Sequence, residues 1–141
     1  MIKRNLFVFA DGGSRGNPGP AAVGFIVKDS TGRPLIKEGK FIGKTTNNVA
    51  EYQAVIEALK WIQSSIKYPV SSIKLFLDSK LIVNQLNGLF KIKNSYLRRL
   101  IIKVRQLEQE VGGNVSYHLI PREKNKEADA LVNQALEQNT L

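Results

Sequence analysis

Hydrophobic positions along the chain change period several times, and each change marks an element. "NLFVFA" is a short apolar run of β formers, "AAVGFIVKDSTGRPLIKEGKFIG" reads as two strands on either side of the turn "STGRP", and "SIKLFLD" alternates Ile73, Leu75 and Leu77. The first three strands are expected to pair antiparallel. From Asn47 to Ile66 the period becomes helical, with Val55, Ile56, Leu59 and Ile62 three and four residues apart, and the pattern stops before "YPVSS". Ser79 to Leu86 is a short predicted helix. Tyr96 to Val111 is a longer one with Leu97, Leu100, Ile101, Val104 and Leu107 inside, stopped by Gly112 and Gly113. "NVSYHLI" makes a fifth strand, and Lys124 to Gln138 a last helix burying Ala128, Leu131, Val132, Ala135 and Leu136. The order βββαβααβα, uninterrupted by linker, repeat or low-complexity stretch, predicts an α/β fold in a single domain over residues 1–141.

On this frame the acids separate by position. A period of two on the first strand puts Asp11, expected at the strand end, on the face of Phe7 and Phe9. Glu51 stands four residues before Val55 and so heads the core-facing stripe of its helix. Asp78 closes the fourth strand, and Asp129 lies three residues before Val132, at the edge of a buried stripe. Other acids, such as Glu108, Glu110, Glu127 and Glu137, fall where a solvated face is expected. A carboxylate beside a core is costly unless it is paired or bound to a cation. Each has a plain structural reading: Asp11 capping the loop, Asp78 capping the short helix, Asp129 pairing with Lys124 or Lys126. Taken together they point elsewhere. Open α/β sheets bind ligands beyond the carboxyl ends of their central strands, where Asp11 and Asp78 end and where two helices can add Glu51 and Asp129. Four carboxylates in a chain with no Cys describe an oxygen-ligand site for Mg²⁺ or Mn²⁺.

Composition adds a partner and a compartment. The chain carries 21 Lys and Arg against 12 Asp and Glu, a net charge of +9, which suits a polyanion bound through its phosphates. No apolar run approaches the roughly 20 residues that cross a bilayer, so no membrane partner is expected. The missing cysteines and the lack of a secretory signal in "MIKRNLFVFADGG" make cytoplasmic residence the expectation.

Four stretches carry a family resemblance. "DGGSRGNPGPAAVG", "TTNNVAEYQAVIEAL", "LFLDSKLIVNQLNG" and "PREKNKEADALVNQAL" resemble, in order and spacing, the successive motifs of type 1 ribonuclease H, over about Phe7 to Leu136. The resemblance implies a ribonuclease H-like fold with a five-stranded mixed sheet. It also implies a monomeric endoribonuclease that hydrolyses the RNA strand of RNA–DNA hybrids with two divalent cations, leaving 5′-phosphate and 3′-hydroxyl ends. Asp11, Glu51, Asp78 and Asp129 fall on the family's metal-binding carboxylates. In that scheme Asp11 bridges the ions, Asp129 completes the side of the attacking water, and Glu51 and Asp78 hold the side of the leaving group.

The same resemblance distributes the substrate contacts. The first loop, with Gly12 and Asn17, and the pair Asn47 and Asn48 face the RNA strand and its 2′-hydroxyls; Ser79 joins these contacts. Asn47 or Asn48 can equally cap the helix, and the loop can be a plain turn. In "NGLFKIKNSYLRRL", Phe90 accompanies Lys91, Lys93, Arg98 and Arg99, an aromatic in a basic stretch suited to the DNA strand. Phe90 lies where the family often has Trp, and Thr46 with Asn94 matches its DNA-phosphate pocket. Two departures stand out. Gly88 to Asn94 is too short for the basic insertion of many bacterial members, and the loop before the last helix holds no His. His118 falls inside a strand, where a structural role is expected, and Arg122 is the better candidate to touch the phosphate. Two other activities fit the same residues: a non-catalytic duplex-binding module of this fold, and a nuclease that also cuts double-stranded RNA.

Overall fold

The computed structural model describes residues 4–67 and 69–139; residues 1–3, 68 and 140–141 of the expected single domain lie outside the described residues. The elements are β1 (Arg4–Ser14), β2 (Gly19–Lys28), β3 (Pro34–Thr45), α1 (Asn47–Ser65), β4 (Val70–Leu77), α2 (Lys80–Leu86), α3 (Ser95–Glu110), β5 (Val115–Leu119) and α4 (Lys126–Asn139), with a single 3₁₀ turn at Arg122–Lys124 before α4. Their order matches the hydrophobic periods. The five strands lie side by side as β3-β2-β1-β4-β5. β1, β2 and β3 pair antiparallel, whereas β1–β4 and β4–β5 are parallel, as helical crossovers require.

Alternation decides which face each helix covers. Leu6, Val8 and Ala10 of β1, with Val23, Phe25 and Val27 of β2, bury into one core with Tyr52, Val55 and Leu59 of α1 and Leu100 and Val104 of α3. The other face of β2 and β3 receives α4, whose Val132, Ala135 and Leu136 pack on Ala22 and Phe41. That contact is close. A Cβ on Gly24 would sit 2.5 Å from the Ala128 carbonyl oxygen, so the helix lies directly on bare backbone.

Two boundaries and the burial of one acid differ from the sequence reading. β1 does not end at Asp11 but runs on to Ser14, because Gly12, Gly13 and Ser14 stay in register with Val23, Ala22 and Ala21 of β2. The glycines that resemble a loop serve close packing: a Cβ on Gly12 would lie 2.1 Å from the carbonyl oxygen of Ala50 in α1. α4 begins two residues later than expected, after the 3₁₀ turn. Glu108, expected on a solvated face, is instead half-buried, accepting hydrogen bonds from the Tyr117 hydroxyl at 2.6 Å and Arg105 Nη1 at 2.8 Å.

Helix caps also reassign three side chains. Thr46, not Asn47 or Asn48, caps α1, its Oγ1 accepting from Val49 N at 3.2 Å. Ser79, not Asp78, caps α2, accepting from Ile82 N at 3.3 Å. Asn94 caps α3 by accepting from the backbone N–H groups of Tyr96 and Leu97. A hydroxyl or amide oxygen immediately before the helix satisfies amides that have no partner within it, which leaves Asp78 free of that duty.

Candidate metal centre and nucleic-acid interface

The pairing of β1 with its two neighbours creates the site. β1 pairs with β4 only as far as Phe9 and Phe76, yet continues beside β2 through Asp11, paired with Gly24. Asp11 therefore stands just past the carboxyl end of the parallel pair, and Asp78 follows the last residue of β4. Asp11 shares its face with Gly24, the face that α4 covers, so Asp129 in the first turn of α4 approaches from that side. Glu51 approaches from α1 on the other side, over Gly12, whose N–H donates to the Glu51 carboxylate.

Carboxylate oxygens of Asp11, Glu51 and Asp78 all lie within 4.8 Å of one another. Asp11 and Glu51 are buried at 7% and 8% exposure, and Asp78 is half-buried. Asp129 is exposed at the rim. It lies outside that tight trio, though its charge and hydrogen bonding act on Asp11. Its expected pairing with Lys124 or Lys126 does not occur among the described residues; Asp129 Oδ2 accepts from Asn133 at 3.3 Å.

Electrostatics show what the cluster lacks. Burial, followed by the negative charges of Asp78 and Asp129, pushes the Asp11 carboxyl up to about 7. Burial and then the charges of Asp11 and Asp78 hold Glu51 well above the usual carboxylate range. Crowded carboxylates without a counter-charge must take protons or a cation. The Oε2 atom of Glu51 is buried without a hydrogen-bond partner among the described residues, which is costly in a folded interior. With oxygen donors only, the group fits a hard divalent cation.

A cavity of about 610 Å³ opens over this cluster, lined by all four acids and by Gly12, Asn47, Asn48, Ser79 and Arg122. Asn17 does not line it but supports it: Asn17 Oδ1 accepts from Asn47 N at 3.0 Å, and Asn47 Oδ1 accepts from Ser14 N at 2.9 Å. The first turn and the start of α1 are thereby clasped together. Thr46, Asn94 and Asn17 meet instead along a second, shallower cavity of about 420 Å³, which also includes Asn48 and Tyr96. Phe90 belongs to neither; it projects from the loop between α2 and α3 with 45% of its surface exposed. His118 is also away from the acids, its ring 5.4 Å from that of Phe76 and its Nε2 2.8 Å from Ser116 Oγ.

The sequence reading passed over four residues here. Arg15, Lys80 and Asn133 line the main cavity. Asn125 is 1% exposed and donates from Nδ2 to the Ala10 carbonyl at 2.9 Å and to Asp78 Oδ2 at 3.0 Å. Its one sequence signal is its place four residues before Asp129, at a helix start.

Comparison with known proteins places this arrangement. The family described as "Reverse transcriptase-like" matches residues 9–135. A ribonuclease HI of Halobacterium salinarum is 40% identical over 132 residues, 94% of this chain and 64% of that protein. A bifunctional protein of Mycobacterium tuberculosis is 38% identical over 133 residues, 94% of this chain, which spans about a third (35%) of its length. Among solved structures, the compost-derived LC11 RNase H1 in complex with an RNA/DNA hybrid superposes with a TM-score of 0.92 at 39% identity, over 96% of this chain and 99% of that one.

Proposed function

Because the chain belongs to the type 1 ribonuclease H family, within the reverse transcriptase-like group, we propose that it is an endoribonuclease hydrolysing the RNA strand of RNA–DNA hybrids. The observation that carries this reading is the buried trio Asp11, Glu51 and Asp78, with carboxylate oxygens within 4.8 Å and one Glu51 oxygen unpartnered. Such a group serves a dead binding module poorly, because it is electrostatically costly until cations neutralise it.

Asp11, Glu51, Asp78 and Asp129 would hold two divalent cations, Mg²⁺ with Mn²⁺ as an alternative. When bound, such ions lower the pKa of an attacking water and offset charge on the leaving oxygen. The chain's own groups do the rest. Asp11, central in the cluster, would offer its carboxylate to both ions; Asp129, at the rim, would hold the ion that activates water, and Glu51 with Asp78 the ion that offsets charge on the leaving group. Hydrolysis in line leaves a 5′-phosphate and a 3′-hydroxyl. Asn47 and Asn48, on the wall of the cavity, face the RNA strand with Gly12 and Ser79, and Asn17 holds Asn47 in place. Thr46 and Asn94 line the shallower cavity and take a DNA phosphate; the Thr46 cap leaves its hydroxyl hydrogen to donate, and Asn94, whose Oδ1 accepts two amides, keeps its Nδ2 donors. Phe90 packs against the DNA strand, and Arg122 touches the scissile phosphate. The whole chain acts as one domain, a cytoplasmic monomer without a membrane partner; no helix among the described residues is long and apolar enough to cross a membrane.

Labelled hybrid, RNA duplex and DNA duplex incubated with Mg²⁺ or Mn²⁺ test the proposal. Cleavage confined to the RNA strand of the hybrid is expected. Binding without cleavage of any duplex would leave a non-catalytic module, and cleavage of the RNA duplex as well would extend the substrate range.

A further inference from the structure

Asn125 is the most deeply buried polar side chain at the acidic cluster, and it touches three elements at once. Both hydrogens of its Nδ2 are committed, one to the Ala10 carbonyl of β1 and one to the Asp78 carboxylate after β4. Its own backbone carbonyl accepts the Asp129 N–H at 3.1 Å, the first such bond of α4. The residue before Asp11, the carboxylate of Asp78 and the backbone of Asp129 are therefore all tied to one side chain and its peptide. The amide orientation is unambiguous, because the reverse would face Oδ1 toward two acceptors. That orientation leaves Oδ1 buried with no partner among the described residues. Stranding that acceptor costs free energy, which the two donated bonds to Ala10 and Asp78 must offset.

We propose that Asn125 is a positioning residue: it sets the separation between the Asp78 side and the Asp129 side of the cation site by clamping both to β1. This rests on the reading of the four acids as a cation site. Groups that orient metal ligands without touching the metal commonly change its affinity by about 10–100-fold when removed. The chemistry demands Asn. Asp at this position would be nearly isosteric but would oppose a carbonyl and a carboxylate with a third negative oxygen, and Ala would leave Asp78 without its donor.

Mn²⁺ titration followed by loss of the free-ion paramagnetic resonance signal, without nucleic acid, tests the clamp in the full chain. Asn125→Ala and Asn125→Asp should each weaken Mn²⁺ binding about tenfold or more, with Asn125→Asp the worse of the two. If Asn125 only filled space, the isosteric Asn125→Asp would bind like the unsubstituted protein, and that result overturns the proposal. Failure of the unsubstituted protein to bind Mn²⁺ would instead sink the cation site itself. Should neither variant fold, the side-chain amide of Asn125 in the ¹⁵N-labelled unsubstituted protein decides. Two distinct, slowly exchanging hydrogens that shift on adding Mg²⁺ are expected; a rapidly exchanging pair indifferent to Mg²⁺ overturns the clamp.

Discussion

Glu51 and Glu108 are both glutamates withdrawn from solvent on helices of the same core, and the molecule treats them in opposite ways. Glu108 of α3 receives the Tyr117 hydroxyl and the Arg105 guanidinium, and Arg105 also donates to the Leu86 carbonyl at the end of α2. Nearby, the Tyr52 hydroxyl donates to Gln85 at 2.8 Å and Asn87 donates to the Tyr117 carbonyl. That region is a polar network whose Glu108 charge is matched. Burial and the Glu108 carboxylate push the Tyr117 phenol far up its range, so the network does not titrate at neutral pH through that hydroxyl. Around Glu51 the neighbouring charges are acids, and its Oε2 has no hydrogen-bond partner among the described residues. A satisfied charge anchors helices; an unsatisfied cluster of like charges stores a demand for a cation. Reactivity belongs where the interior has been left electrostatically unfinished.

The contrast is sharpest when each acid is neutralised. Asp11→Asn or Glu51→Gln should lower hybrid cleavage by at least about 1,000-fold, some 4 kcal/mol of transition-state stabilisation. Neither should lower the melting temperature in metal-free buffer, and Asp11→Asn should raise it by relieving repulsion. A marked loss of apo stability in these variants would erase the distinction from Glu108. Glu108→Ala is expected to do the reverse: it strands the buried Tyr117 hydroxyl and unpairs Arg105. It should cost about 2–3 kcal/mol in denaturant unfolding, while turnover at 25 °C stays within about twofold of the unsubstituted protein.

pH separates the two regions more gently. Asp11 titrates at about 7 in the fold against an ordinary 3.8, so the folded state holds this proton more tightly than the unfolded chain does. Its contribution to stability is complete below about pH 4 and is lost as pH rises through about 7. Metal-free protein should accordingly lose about 2–3 kcal/mol between pH 5 and 8. Asp11→Asn should flatten that slope, and saturating Mg²⁺ should oppose it, since the cation favours the ionised form. A slope that survives Asp11→Asn unchanged would move its origin away from the cluster. The smallest effect belongs to Arg122, exposed on the cavity wall: Arg122→Ala should slow turnover by about three- to tenfold, roughly 1 kcal/mol, with Mg²⁺ binding unchanged. Unaltered kinetics would remove Arg122 from the reaction.

Much of this molecule was legible in one dimension because the relevant physics is local. Burial periodicity marks the elements with one wet face, since Leu6, Val8 and Ala10 alternate in β1 just as Leu97, Leu100 and Val104 recur in α3, whereas β2 is buried along nearly its whole length and is marked by its continuous apolar run. The position of Glu51 ahead of a buried stripe exposes it as an acid in the wrong solvent. Glycine misled the reading of β1, because a residue chosen so that α1 can touch the strand looks the same, in sequence, as a residue chosen to turn. Glu108 misled it as well, since its partner Tyr117 lies on another element nine residues away and its burial comes from that contact.

The sequence by itself determined the element order, the hydrophobic faces and four candidate acids at the borders of those faces, because these follow from periodicity and from the cost of charge beside apolar surface. Only the tertiary structure decided that β4 stops pairing while β1 continues, that three acids close to within 4.8 Å while Asp129 stays at the rim, and that Asn125 binds two strands and a helix together. Those distances depend on how strands register and helices dock, and they join residues far apart along the chain, where no periodic signal reaches.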